Sequence, residues 1–307
     1  MVYIETIERG KKEYIYLVHT KRNGRKWEKT RKYIGQGDSA MKKAKREIHN
    51  FKKFLIKGLY LKEKQIEIIE KTKRVFDNYK KQAGNPGMNN FNEWFFTQLT
   101  YNSNAIEGST LNLLNTSMII NHDIVAKDTT LREINEAKNH KEALEFLLKY
   151  KGDINEPLIL KLNSIILKNI YDNAKGKYRK VSVFISGSDI KFPASEKVPE
   201  FMKNLVKWYK ENKSKLHPLE LAVIFSMKFV SIHPFVDGNG RVSRLLMNYI
   251  LKKKKYPEIN IYVKHRNNYI KAVRKANEEN YEMMVDFAVK TLVKNYTWLE
   301  RKKSKII

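Results

Sequence analysis

Apolar residues recur at three- and four-residue spacing over most of this chain, and that spacing predicts helices. It marks them over 92–104, 111–121, 130–150, 156–169, 198–212, 218–232, 241–252, 267–280 and 281–302. Nearer the start, Ser39 to Lys81 also reads as helix, with Ile48, Phe51, Leu55 and Leu59 on one face. Two segments break the pattern. In the first, Tyr14, Tyr16 and Val18 share one parity while Ile15 and Leu17 hold the other, so a strand buried on both faces is expected. Asn23-Gly24 follows it and then Trp27 to Ile34, which is a hairpin signal. In the second, Val181, Val183 and Ile185 alternate, Ser186-Gly187-Ser188-Asp189 intervenes, and Ile190 and Phe192 resume. A β-hairpin over about 177–193, inserted between helices, is therefore expected. Ala83-Gly84-Asn85-Pro86-Gly87 is a breaker cluster and predicts a domain boundary near 88. The expected organisation is an α+β segment over 1–88, a helical core over 89–290, and a helix end with a basic tail over 291–307. The fold class is mainly α.

Composition narrows the function classes. With 307 residues and 42% hydrophobic positions the chain has material for a large core, so global disorder is excluded. It has no cysteine, which removes disulfide scaffolds, thiol nucleophiles and thiolate metal sites. The longest apolar stretch, 219–232, is interrupted by Glu220 and Lys228 and is shorter than the roughly 20 residues of a membrane helix. The first twelve residues are charged and lack a signal-peptide core, so a cytoplasmic location with no membrane partner is expected. Lys+Arg total 61 against 33 Asp+Glu, a net +28. The lysines are spread along the whole chain, not gathered with arginine and aromatics in one stripe, which disfavours nucleic acid as the main partner.

One segment concentrates chemistry: His233-Pro234-Phe235-Val236-Asp237-Gly238-Asn239-Gly240-Arg241-Val242-Ser243-Arg244. An apolar helix ends before it and an amphipathic helix opens within it. A loop at a helix N-terminus offers backbone N–H groups to an anion. Gly238 and Gly240 permit positive φ and close approach. Arg241 and Arg244 share a face of the new helix, a placement that its dipole disfavours unless a polyanion binds. Asp237 can hold a divalent cation between phosphates. His233 supplies a base that works near neutral pH. Phe235 reads as a core anchor for the loop.

His233 to Arg244 matches the motif HPFx(D/E)GNGRxxR at every specified position, and by it the chain resembles the Fic family. The resemblance spans about residues 90–290. It implies a helical domain with a β-hairpin flap, and transfer of AMP from ATP, with Mg²⁺, to a hydroxyl of a target protein or of the enzyme itself. His233 would be the base, and Asp237 the Mg²⁺ ligand. Gly238, Asn239 and Gly240 would form the anion nest. Arg241 would steady the phosphates and Arg244 would receive the γ-phosphate. Gly176-Lys177-Tyr178-Arg179 resembles the approach to the flap, where a target chain would add as a strand. Tyr269 and Asn277 match residues of the adenosine pocket, while Ile270 stands where some relatives carry a second Tyr. Ser103-Asn104-Ala105-Ile106-Glu107-Gly108 matches the inhibitory signature (S/T)xxxE(G/N). A helix over about 96–107 would then present Glu107 to Arg244, with Ser103 in the same signature. In relatives the same Glu also serves removal of AMP.

Three alternatives compete, one of them a binding-only protein with a decayed site, which the intact His233 and Asp237 disfavour. Fic relatives also move UMP, phosphocholine or phosphate, and the intact Gly238-Asn239-Gly240-Arg241 favours AMP among these. A nucleic-acid-binding regulator reading through the basic segment 1–90 is the third, and no helix-turn-helix or zinc signature supports it. A homodimer is compatible with the sequence.

Overall fold

The computed structural model describes residues 2–10, 12–23, 26–54, 59–184 and 190–301. Gly24, Leu55, the predicted hairpin tip 185–189 and the tail 302–307 lie outside the described residues. The chain divides into two compact units, Met1–Leu59 with Lys215–His217, and Tyr60–Ser214 with Pro218–Ile307.

The first unit is a three-stranded antiparallel sheet and one helix. Strands β1 (Val2–Arg9), β2 (Lys12–Asn23) and β3 (Lys26–Gln36) lie in the order β1-β2-β3. The hairpin expected on either side of Asn23-Gly24 is β2 and β3, with Asn23 paired to Lys26. Helix α1 (Gly37–Phe54) covers one face, where Ile15 and Leu17 bury against Ala40 and Ala44. On the opposite face Val18 is also fully buried, and Tyr14 and Tyr16 pack on Tyr33. Strand β1 was not legible, because its Tyr, Ile, Glu and Thr positions show no clean alternation.

The second unit is helical, as expected, but its first helix is not. The helix read over 39–81 is interrupted: α1 ends at Phe54 and α2 (Glu63–Ile106) begins later. The buried carboxylate of Glu220 accepts the N–H groups of Tyr60 and Leu61 at 2.6 and 2.7 Å. Those amides are thus held outside any helical ladder. The breaker cluster is a kink, not a boundary. Gly84 takes φ 59° and ψ −168°, Pro86 lacks an N–H, and the helix resumes beyond them. Phe76 and Tyr79 before the kink pack on Phe91 after it, with ring centroids 5.4 and 5.8 Å apart. Residues 60–88 accordingly fold with the helical unit.

Helices α3 (Leu113–His122), α4 (Leu131–Lys149), α5 (Glu156–Ile166), α6 (Val198–Asn212), α7 (Pro218–Ile232), α8 (Asn239–Lys253), α9 (Arg266–Asn277), α10 (Glu282–Tyr296) and α11 (Trp298–Arg301) follow. Asn112, Thr130 and Asn155 cap α3, α4 and α5, each side chain accepting a first-turn N–H. Helix α7 is the buried axis, with Leu219 through Met227 all buried. It packs on α8, joined by Ser226 Oγ to Ser243 Oγ at 2.8 Å, while α6, α9 and α10 flank α7 and α2, α4 and α5 flank α8. The predicted hairpin over 177–193 is not seen: its described residues, 177–184 and 190–193, form no strand.

Fully buried Asn163 of α5 ties three segments together. Its Nδ2 donates to the Asp237 carbonyl at 3.1 Å and its Oδ1 accepts the Gly176 N–H at 2.9 Å. Replacing it by Leu leaves a buried donor and acceptor unmet. Asn163→Leu is expected to destabilise the protein by about 1–3 kcal/mol, read as a lower denaturation midpoint at unchanged slope.

Candidate active site

The segment 233–244 is the turn between α7 and α8. His233 closes α7 by donating its N–H to the Phe229 carbonyl at 3.1 Å, and takes φ 51°. Phe235 is fully buried against Tyr178 and Phe229, so it is the anchor expected from its place in the loop. Asn239 clamps the same residue from the other side. Its Oδ1 accepts the Phe235 N–H at 3.0 Å, and its Nδ2 donates to the Phe235 carbonyl at 2.8 Å. The Asn239 side chain is therefore a brace for the loop, and only its backbone is left to serve an anion.

Gly238 sits at φ 80°, where a side chain would also crowd Ile166 and Asn163. Gly240 has no such conformation, and it lies against the carboxylate end of Glu107. A Cβ there would lie 2.1 Å from Glu107 Oε1. Helix α8 starts at Asn239, and its first intrahelical bond runs from Val242 N to the Gly238 carbonyl at 2.9 Å. The N–H groups of Asn239, Gly240 and Arg241 precede that bond, the usual anion-binding end of a helix.

Glu107 is the residue that ends α2, and it reaches Arg244. Its Oε1 lies 2.8 Å from Arg244 Nη2. Arg244 also donates Nε to Ser103 Oγ at 3.0 Å and Nη2 to the Ser103 carbonyl at 2.8 Å. Its Nη1 is buried with no hydrogen-bond partner among the described residues. Arg241 is likewise buried and leaves Nε without a hydrogen bond. Two buried guanidiniums with unmet N–H at a helix N-terminus fit a polyphosphate. The end of α2 is itself pinned. Arg266 Nε donates to the Ile106 carbonyl, and Glu133 accepts the N–H and hydroxyl of Thr110. Burial opposes ionisation of Glu133, but the donors of Thr110 and Thr130 outweigh it and lower its carboxyl to about 2.

Asp237 holds two arginines. Its Oδ1 accepts the Gly238 N–H and Arg241 Nη2, and its Oδ2 accepts Arg132 Nη2 at 3.0 Å. Among the described residues no group of three or more His, Cys, Asp and Glu side chains could hold a metal by itself. One carboxylate fits Mg²⁺ all the same, because that ion keeps waters and shares its remaining positions with substrate phosphates.

His233 is covered from the flap side. The Phe192 ring stacks on its imidazole with centroids 4.0 Å apart. Nδ1 faces the Val230 carbonyl at 3.3 Å, which leaves Nε2 as the acceptor. Burial pushes the imidazole down to about 4, and the bond to Val230 opposes this only in part, so the ring is neutral at pH 7. Arg179 fastens both stems of the flap to this loop. Its guanidinium donates to the carbonyls of His233 at 2.8 Å, Val181 at 3.0 Å and Pro193 at 2.5 Å, and its N–H donates to Pro234 at 2.9 Å.

Asn277 and Tyr269 part company. Asn277 accepts the Ser231 hydroxyl at 2.6 Å and lines a cavity of about 440 Å³ with Pro193, Ile232, Trp208 and Lys228. Tyr269 is buried away from that cavity, against Phe287 and beside Arg244. Residues missed from sequence are Arg132, Glu136, Arg179 and Phe192, along with His140, which bonds Thr100 and is held neutral by burial with Arg244 and Arg241 nearby. Arg179 had a signal in its place after Gly176-Lys177-Tyr178, and Phe192 in its place in the alternating run.

The chain is 32% identical over 200 residues, 64% of its length, to protein adenylyltransferase Fic of Nematostella vectensis, and covers 46% of that protein. It is 33% identical over 196 residues to the Drosophila melanogaster protein of the same name, of which it covers 39%. The chain thus spans less than half the length of these curated relatives. In structure it matches a Fic-domain-containing signalling protein of Bacteroides thetaiotaomicron at TM-score 0.69 and 26% identity, covering 77% of this chain and 99% of that one. Fic-1 of C. elegans matches at TM-score 0.66 and 27% identity, covering 76% and 70%. The model of the Fic/DOC family matches residues 153–251, which hold the loop and the helices around it.

Proposed function

We propose that the chain is a protein adenylyltransferase, transferring AMP from ATP to a hydroxyl side chain of a target protein or of itself. The observation that carries this reading is a neutral His233 with Nε2 free as acceptor, on one turn with two buried, under-bonded guanidiniums. The names of the curated relatives support it. In the reaction a target hydroxyl oxygen bonds to the α-phosphorus of ATP. The bond from that phosphorus to the bridging oxygen breaks, pyrophosphate leaves, and the hydroxyl proton passes to His233 Nε2. Arg241 and the first-turn N–H groups of α8 would neutralise charge on the phosphates, and Arg244 would take the γ-phosphate. Asp237 would hold Mg²⁺, which supplies charge neutralisation across the phosphates. Asn277 would face adenosine from the cavity beside the loop.

The flap would seat the target. Val181 and Phe184 are 59% and 88% exposed on its first stem, an apolar offer to an incoming chain. Glu107 would inhibit by filling the γ-phosphate position on Arg244, so that ATP binds in an unproductive pose. Its carboxylate and the phosphate compete for one guanidinium. No helix among the described residues is long and apolar enough to cross a membrane.

The labelling test uses Mg²⁺ and α-labelled ATP, with intact mass read on the protein itself. Glu107→Gly should raise AMP incorporation about ten- to a hundredfold, the worth of a charge-assisted pair. His233→Ala placed on that background should lower it by about a hundredfold or more. Incorporation that survives loss of His233 removes the assignment of the base.

The pH dependence has a definite sign. The imidazole is depressed from 6.5 to about 4, so the neutral base is fully present at pH 7 and is lost only as pH falls through about 4. The acidic limb of kcat/KM in Glu107→Gly should therefore lie near pH 4 or below. A limb near 6.5 would mean that His233 is solvated in the working enzyme.

A further inference from the structure

We propose that Arg132 is an internal stand-in for the metal ion: it occupies the Asp237 carboxylate in the free protein and withdraws when a divalent cation arrives. This rests on the reading of Asp237 as the metal-holding carboxylate. Arg132 lies in the first turn of α4, far from the motif in sequence. Its Nη2 is 3.0 Å from Asp237 Oδ2, the carboxylate oxygen that Arg241 leaves free. Four groups close a ring of alternating charge. Arg132 pairs with Asp237, Asp237 with Arg241, Arg241 with Glu136 at 3.2 Å, and Glu136 with Arg132 at 3.1 Å. Both oxygens of Asp237 accept an arginine N–H, so a cation can take one of them only if an arginine gives way.

Arg132 is the one built to move. Arg241 is buried to 2%, while the Arg132 side chain is 51% exposed. Arg132 also keeps partners after release. Glu136 now holds Nε, the Tyr171 hydroxyl holds Nη1 at 3.2 Å, and the guanidinium lies over the Tyr171 ring at 5.4 Å, so a head group swung off Asp237 has a carboxylate and an aromatic face beside it. Leaving Asp237 thus costs one exposed ion pair and strands no buried charge. In the free state the same pair keeps Asp237 from lying unbalanced beside the phosphate site. The consequence is a metal affinity set lower than the carboxylate alone would give.

The test measures binding, not turnover. The 307-residue Glu107→Gly protein is titrated calorimetrically with adenosine 5′-(α,β-methylene)triphosphate, which cannot be cleaved between its α- and β-phosphates. One series contains Mg²⁺ and the other contains EDTA, and the ratio of the two affinities is compared with and without Arg132→Gln or Asp237→Asn. Arg132→Gln should raise the ratio about two- to fivefold, as expected for loss of a competing exposed ion pair. Asp237→Asn should collapse it. A merely structural role for Arg132 would lower the ratio, the opposite sign. An unchanged or lowered ratio in Arg132→Gln with a collapse in Asp237→Asn overturns the stand-in and leaves the reaction intact. An unchanged ratio in Asp237→Asn overturns the assignment of the metal to Asp237, and the stand-in with it.

Discussion

A single carboxamide holds the site in shape. Asn239 exchanges two hydrogen bonds with the peptide groups of Phe235, and this closes the turn between two helices that are themselves buried. With that turn closed, Phe235 is driven into the core and His233 is fixed at the end of α7. The α8 N-terminus then begins at a defined point. Asn163 from α5 and Arg179 from the flap stem add their bonds to the same turn. All three act on main-chain atoms, so they fix the path of the loop and leave the reactive side chains to vary around it.

The charges are arranged by the same economy. Arg241 and Arg244 enter at a helix N-terminus, where the dipole disfavours them, and both are buried. Carboxylates balance them: Glu136 from α4 and the neighbouring Asp237 for Arg241, and Glu107 from the end of α2 for Arg244. The balance is incomplete at Arg244 Nη1 and Arg241 Nε, and that remainder is what a polyanion can satisfy.

The sequence made the helices from 92 onward readable because each buries one face at regular spacing. The reactive loop was readable because its base, carboxylate, glycines and arginines are contiguous. Glu107 was readable only through a short signature, since nothing local says that a residue at the end of α2 meets one in α8. Arg132 and Glu136 gave no signal, and Phe192 gave only its place in the alternating run, because their roles are made by packing between segments far apart in the chain. The misreading at Gly84-Asn85-Pro86-Gly87 has a different origin. Local breakers report what a backbone will not do, and here aromatic packing across the kink keeps both halves in one unit. The flap misleads in the opposite way: its alternation is genuine, yet Arg179 takes the Val181 and Pro193 carbonyls and so binds both stems to the loop.

Phe192 lying on the His233 ring has a consequence in linkage terms. Burial lowers the proton affinity of the ring that lies under Phe192, so burial and protonation oppose one another, and the opposition is reciprocal. Exposing the ring strengthens the base and wets it in the same motion. Acidification therefore acts twice through one imidazole: it removes the proton acceptor, and it weighs against the buried position of the ring under Phe192.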